Sequence, residues 1–227
     1  MSTDAQDWQR VVKTVGAAGA VTDAPDWQHI VVGPGGAPVG GGGAAGDYPP
    51  AWGYAAWTFP PGLATANNRE SYTSQMFLFG AVACAKSAKA VNLCVVGTVA
   101  TGLTPDKSFV VVYEPTYTAG MVTGVSLLGA SAAGAMDAPM QVLGYHTIDL
   151  AAPVSLTPGN LYYIGWIMAF TGFPGFASMP NSMAGAPGVF PCPPTFFTSA
   201  HYTSPPASVS VTNANTMVGV EYWMALS

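Results

Sequence analysis

The chain has 227 residues, half of them hydrophobic, and only 7% carry charge, against a usual fraction of about 25%. Net charge is -5 and the six Lys and Arg form no cluster, which argues against a nucleic-acid partner. The best apolar run, "LYYIGWIMAF" from Leu161 to Phe170, falls short of the about 18 residues that cross a bilayer, so no membrane insertion is expected.

The first segment, residues 1-50, reads as a docking arm with a Gly-rich linker. "TDAQDWQRVV" begins at Thr3, and nearly the same ten residues, "TDAPDWQHIV", begin at Thr22. Each copy offers a large aromatic beside an amide, Trp8 with Gln9 and Trp27 with Gln28, ahead of β-branched residues. Such a repeat suits an extended peptide that places two equivalent anchors in two equivalent pockets; packing of both tryptophans on the body of the same chain is the alternative. Asp4 and Asp7 stand where a signal peptide would carry positive charge, so synthesis in a cytoplasm is expected. The tract "GPGGAPVGGGGAAG" that follows cannot pack a core and has no helix start with Lys or Ser behind it, so it reads as a tether and not a nucleotide loop.

From residue 51 to 227 the pattern is β. No long run repeats apolar residues at helical spacing, and Gly and Pro punctuate at short intervals. Strands are expected over Tyr72 to Val82, Ala88 to Thr98, Ser108 to Glu114, Val122 to Leu128, Gln141 to Leu150, Leu161 to Phe170 and Thr216 to Leu226. The fold class is all-β: a jelly-roll-like antiparallel β-sandwich preceded by an extended Gly-rich arm. In the last strand Tyr222, Met224 and Leu226 share the face expected to meet the core, while Glu221, Trp223 and Ala225 share the other.

No Asp, Glu, Lys or Arg occurs between Leu150 and Val220, and the strand from Leu161 is apolar on both faces. Such a strand must be covered twice. One cover is the opposite sheet. For the other face, a neighbouring copy is expected, with Tyr162, Ile164, Trp166, Met168 and Phe170 at the oligomer interface; the alternative is the long Pro-rich segment Thr171 to Asn215. That segment is too apolar for a solvated loop and is expected to lie on the sandwich or on another chain, anchored by Phe190, Phe196 and Phe197.

Catalytic groups are sparse. His146 and Asp149 are three apart on an expected strand, so they point to opposite faces. The carboxylates of the body are scattered singly, and no metalloprotease, phosphate-loop, nucleophile-elbow or calcium-loop pattern occurs. Cys84, Cys94 and Cys192 lack zinc spacing and read as small buried hydrophobes. The expectation is a protein that is not an enzyme, with no cofactor and no metal. Trp52, Tyr54, Trp57 and Tyr202 are candidates for an apolar platform against sugar faces, with core packing as their alternative role.

Three stretches carry a family resemblance: "KAVNLCVVGTVATGLTPDKSFVVVYEP" (Lys89 to Pro115), "YHTIDLAAPVSLTPGNLYYIGW" (Tyr145 to Trp166) and the closing "VGVEYWMALS". Leu150, Pro153, Val154, Leu156, Pro158, Gly159, Tyr162 and Tyr163 follow a phrase of the penultimate strands. With "DWQ" and "VVGPGGAPVG" near the start, the chain resembles tail-fibre and minor tail proteins of tailed bacteriophages, those of actinobacteria in particular. The segment Thr171 to Asn215 departs from that pattern. The resemblance implies a structural virion protein made in the host cytoplasm, a homotrimer whose residues 1-40 grip another virion protein while the sandwich serves adhesion or architecture, with a host surface glycan as a further partner. A capsid fibre or decoration protein of the same fold, and a carbohydrate-binding module, are the alternatives.

Overall fold

A computed structural model describes residues 31–32, 38–39, 53–60, 63–67, 74–179, 195–211, 214–215 and 221–227. The chain divides into two compact units, Met1–Tyr48 and Pro49–Ser227. In the first, β1 (Val31–Val32) pairs antiparallel with β2 (Pro38–Val39). Trp8, Gln9, Trp27 and Gln28 lie outside the described residues, as do Trp52, Phe190 and Cys192.

The second unit is an antiparallel β-sandwich. Its strands are β3 (Ala56–Trp57), β4 (Thr65–Asn67), β5 (Gln75–Val82), β6 (Ser87–Val95), β7 (Phe109–Thr118), β8 (Met121–Ala130), β9 (Gly144–Ser155), β10 (Leu161–Ile167), β11 (Phe176–Met179), β12 (Thr195–His201), β13 (Ser208–Ser210), β14 (Ala214–Asn215), β15 (Glu221–Tyr222) and β16 (Met224–Leu226). The first sheet runs β13-β8-β7-β10-β5-β12-β14. The second runs β15-β11-β6-β16-β3, with β9 also on β6 and β4 also on β11.

Strand alternation builds the interior. Phe77 and Phe79 of β5, Val110 and Val112 of β7, and Ile164 and Trp166 of β10 face Val91 and Leu93 of β6, Ile148 of β9, and Met224 and Leu226 of β16 across one continuous core. Trp166 sits at its centre, with ring centroids 4.7 Å from Phe176 and 5.2 Å from both Phe79 and Tyr222. Close approach of β5 and β10 dictates Gly165: a Cβ there would overlap the backbone carbonyl oxygen of Phe77, which cannot turn aside.

The expectation of an oligomer interface along β10 is corrected here. Tyr162, Ile164, Trp166, Met168 and Phe170 are buried within the single chain, none more than 8% exposed, because they form the side of β10 that meets the second sheet. The opposite side, Tyr163 and Ile167, is also buried, together with Met76, Leu78, Val111 and Tyr113. Tyr202, Val209 and Val211 pack on that side, and the Tyr113 hydroxyl donates to the Pro206 carbonyl at 2.8 Å. Part of the long Pro-rich segment therefore supplies the second cover. The same segment contributes β11 to one sheet and β12 to the other, where Phe197 pairs with Phe77. Phe196 is likewise a strand residue, paired with Leu78.

The ends of β5 to β8 and β10 shift by up to four residues from the expected ones, the closing strand is split into β15 and β16, and the two ends of β9 move for local reasons. Gln141 belongs to a 3-10 turn at Pro139–Gln141, where the proline starts the turn, so β9 begins only at Gly144. At its other end β9 continues through Pro153 because the register against β6 shifts between Ala88 and Ala90, leaving the proline in a bulge with no ladder bond to donate. The resembling phrase spans the β9–β10 turn. There Gly159 takes φ 89 and donates its N–H to Ala83 at 2.7 Å, while the Tyr162 hydroxyl accepts the Thr157 N–H at 2.9 Å.

Candidate functional site

The outer face of the second sheet gathers aromatic rings and uncharged polar groups. Register places Thr147 of β9, Asn92 of β6, Ala225 of β16 and Trp57 of β3 side by side, and Tyr145 beside Cys94 one step along. Trp223 precedes β16 on the same face, its N–H donated to Ala177 at 2.8 Å. Tyr54 is brought in by the chain entering β3, where Ala55 donates to the Leu226 carbonyl at 2.7 Å.

Tyr54 and Tyr145 both lie against Trp223, with centroids 5.8 and 6.1 Å away, and their hydroxyl oxygens meet at 2.9 Å. Trp57 completes the cluster 6.3 Å from Tyr54. Beneath them the buried Asn92 organises a hydrogen-bond chain. Its Oδ1 accepts from the Tyr145 hydroxyl at 2.7 Å and from the Thr147 hydroxyl at 2.8 Å. Its Nδ2 donates to the Ala225 carbonyl at 3.3 Å and to Ser227 Oγ at 2.9 Å. Because Tyr145 gives its one proton to Asn92, the proton between the two tyrosines must come from Tyr54. Burial, then that donated bond to Tyr145, pushes the Tyr54 hydroxyl well above its ordinary pKa.

Accessibility is graded across this face. Trp223 and Trp57 are 4% and 8% exposed, Tyr54 is half-buried, and Tyr145 is 51% exposed with Thr147 open to solvent beside it. The Trp223 indole N–H is buried with no acceptor. On the same face Glu221 is only 6% exposed, and burial raises its carboxyl to about pH 7.

Of the platform expected from sequence, Tyr54 and Trp57 come together, whereas Tyr202 packs on the outer face of the first sheet. Tyr145, Trp223 and Asn92 were missed. A lone amide in the apolar strand "KAVNLCVV" was the available signal for Asn92, and alternation in the last strand was the signal for Trp223.

The other groups weighed for chemistry do not converge. His146 Nε2 lies 2.7 Å from the Val142 carbonyl, and Asp149 faces solvent. The Cys84 thiol donates to the Ala55 carbonyl at 2.9 Å, and burial pushes both it and the Cys94 thiol up in pKa. Asp137 does find partners that spacing did not suggest: its carboxylate accepts from the Ser108 hydroxyl and, at 3.1 Å, from the Asp106 N–H, which clasps two loops. Among the described residues no group of three or more His, Cys, Asp or Glu could hold a metal ion. No described helix is long and apolar enough to cross a membrane.

No protein-family model matches the chain, and no curated protein matches it at a significant level. What this face offers chemically is a partly open aromatic ring and a set of oriented hydroxyls.

Proposed function

We propose that the chain is a structural protein of a tailed-phage particle, a minor tail or fibre-type subunit that docks through residues 1-40 and displays its sandwich for adhesion or architecture. The observation that carries this reading is the division at Tyr48 and Pro49 between a unit holding the repeated Asp-Trp-Gln motifs and a sandwich of its own. An attachment segment and a displayed body are what a particle appendage requires.

The resemblance of the strand phrases to phage tail proteins and the scarcity of charge support the same reading. A body with so few charges gains solubility when copies cover one another. A homotrimer is the assembly proposed, through a surface other than the inward side of β10.

Docking is tested by replacing Trp8 and Trp27 together with Ala and assaying incorporation into particles. The double variant is expected to fold with unchanged circular dichroism and to be absent from purified particles. Normal incorporation would remove the docking role. Light scattering on the full chain is expected to return three times the monomer mass, and a monomer would remove self-assembly.

A further inference from the structure

We propose that the outer face of the second sheet binds a neutral saccharide, with the Tyr145 ring as the stacking surface and the oxygens of Tyr54, Tyr145 and Thr147 as hydrogen-bond acceptors. The direction of the hydrogen-bond chain carries this assignment. Asn92 Oδ1 receives the protons of Tyr145 and Thr147, and Tyr145 in turn receives the proton of Tyr54. All three hydroxyl protons are thereby fixed within the network, leaving lone pairs as what the oxygens can offer a ligand. Exposed Asp149, two residues beyond Thr147 on the same face of β9, adds a further acceptor.

The hydroxyl row itself does not complement phosphate or carboxylate ligands, which bring acceptors of their own. It suits a ligand that supplies several O–H donors together with an apolar face. Sugar rings combine these two properties: equatorial hydroxyls donate from the rim, and axial C–H groups pack on an aromatic ring. Tyr145 is half exposed, so one aromatic ring is open to a ligand on this side of the sheet. The Trp223 indole N–H is buried, and the two tyrosine hydroxyls held against that ring are joined to each other, so the ligand's partners are the Tyr145 ring and the outward hydroxyl oxygens.

Saccharide binding here does not depend on the particle reading above, because the test uses the purified full chain. Native gels containing dextran, laminarin, galactomannan or hydroxyethyl cellulose are run with the parent, Tyr145→Ala, Thr147→Val and Val82→Ala. Val82 is an exposed residue of the other sheet and serves as the control. Retardation by at least one polysaccharide is expected. It should weaken about tenfold in Tyr145→Ala and about threefold in Thr147→Val, with Val82→Ala unchanged. Thermal unfolding of each variant verifies that the fold is kept. Retardation by none of the four, or retardation equal in the parent and Tyr145→Ala, would overturn the assignment. So would calorimetric binding of choline in place of sugar, since that would make the face a cation site.

Discussion

The outer faces of the two sheets begin from the same strand grammar and end differently. On the first sheet, Met76, Leu78, Val111, Tyr163 and Ile167 form an apolar surface sealed by Tyr202, Val209 and Val211. On the second, the corresponding positions carry Asn92, Thr147, Tyr145 and Trp223, and the edge nearest β9 stays partly open. An apolar face demands a cover, and here a distant part of the same chain provides it. On the second face Trp57, Trp223 and Asn92 are buried as well, and only its edge at Tyr145 and Thr147 meets water and is available for recognition.

The widest break in this comparison comes from the layer both faces share. Trp166→Asp puts an unpaired carboxylate among Phe79, Phe176 and Tyr222, and is expected to cost more than about 5 kcal/mol and to leave no folded protein. Loss of the near-ultraviolet circular dichroism checks it. A folded, soluble variant would mean that the two sheets do not close on this ring.

The next effect belongs to the second sheet. Glu221 moves from a usual pKa of 4.5 to about 7 in the fold. Between those values the folded state holds a proton that the unfolded state releases. The contribution of this group to stability is therefore fully present below about pH 4.5, is lost as pH rises through about 7, and amounts to about 3 kcal/mol in total. Glu221→Gln should remove that component of the slope in urea midpoints measured from pH 5 to 8. An unchanged slope would show that the carboxyl is ionised and solvated throughout.

The smallest effect sharpens the first sheet. Tyr113→Phe deletes the bond to the Pro206 carbonyl while keeping the ring, at a cost of about 1 kcal/mol. Hydrogen exchange in residues 202-211 is expected to quicken more than exchange in β9. Equal changes in both would mean that the covering segment is held by its apolar contacts alone.

Legibility in the sequence followed the strength of alternation. β5 to β10 were visible because each holds apolar residues at period two over several positions, and the closing strand in part, since its residues 221–226 form β15 and β16 and not one strand. β3, β4 and β11 to β14 were not, because short strands interrupted by Pro and Gly carry too few positions to show a period. The failure at β10 has a different cause. Apolar residues on both faces state that two covers exist, but nothing local states whose atoms they are. That information lay in Tyr202, Val209 and Val211, roughly 40 residues away. The candidate site was half legible for a related reason: Tyr54 and Trp57 lie close together in sequence, whereas Tyr145 and Asn92 meet only through cross-strand register.

The Ala225 carbonyl beneath Asn92 has a role larger than one hydrogen bond. A carbonyl can only accept, so the amide nitrogen must point toward β16 and the amide oxygen toward β9. Turning the amide over would set oxygen against oxygen at Ala225 and present N–H groups to the hydroxyls of Tyr145 and Thr147. Every proton along the row would then have to reverse. One backbone group in a neighbouring strand thus acts as a polarity lock: it decides that this surface asks for hydrogen bonds instead of giving them, and it does so without a charge that salt could screen.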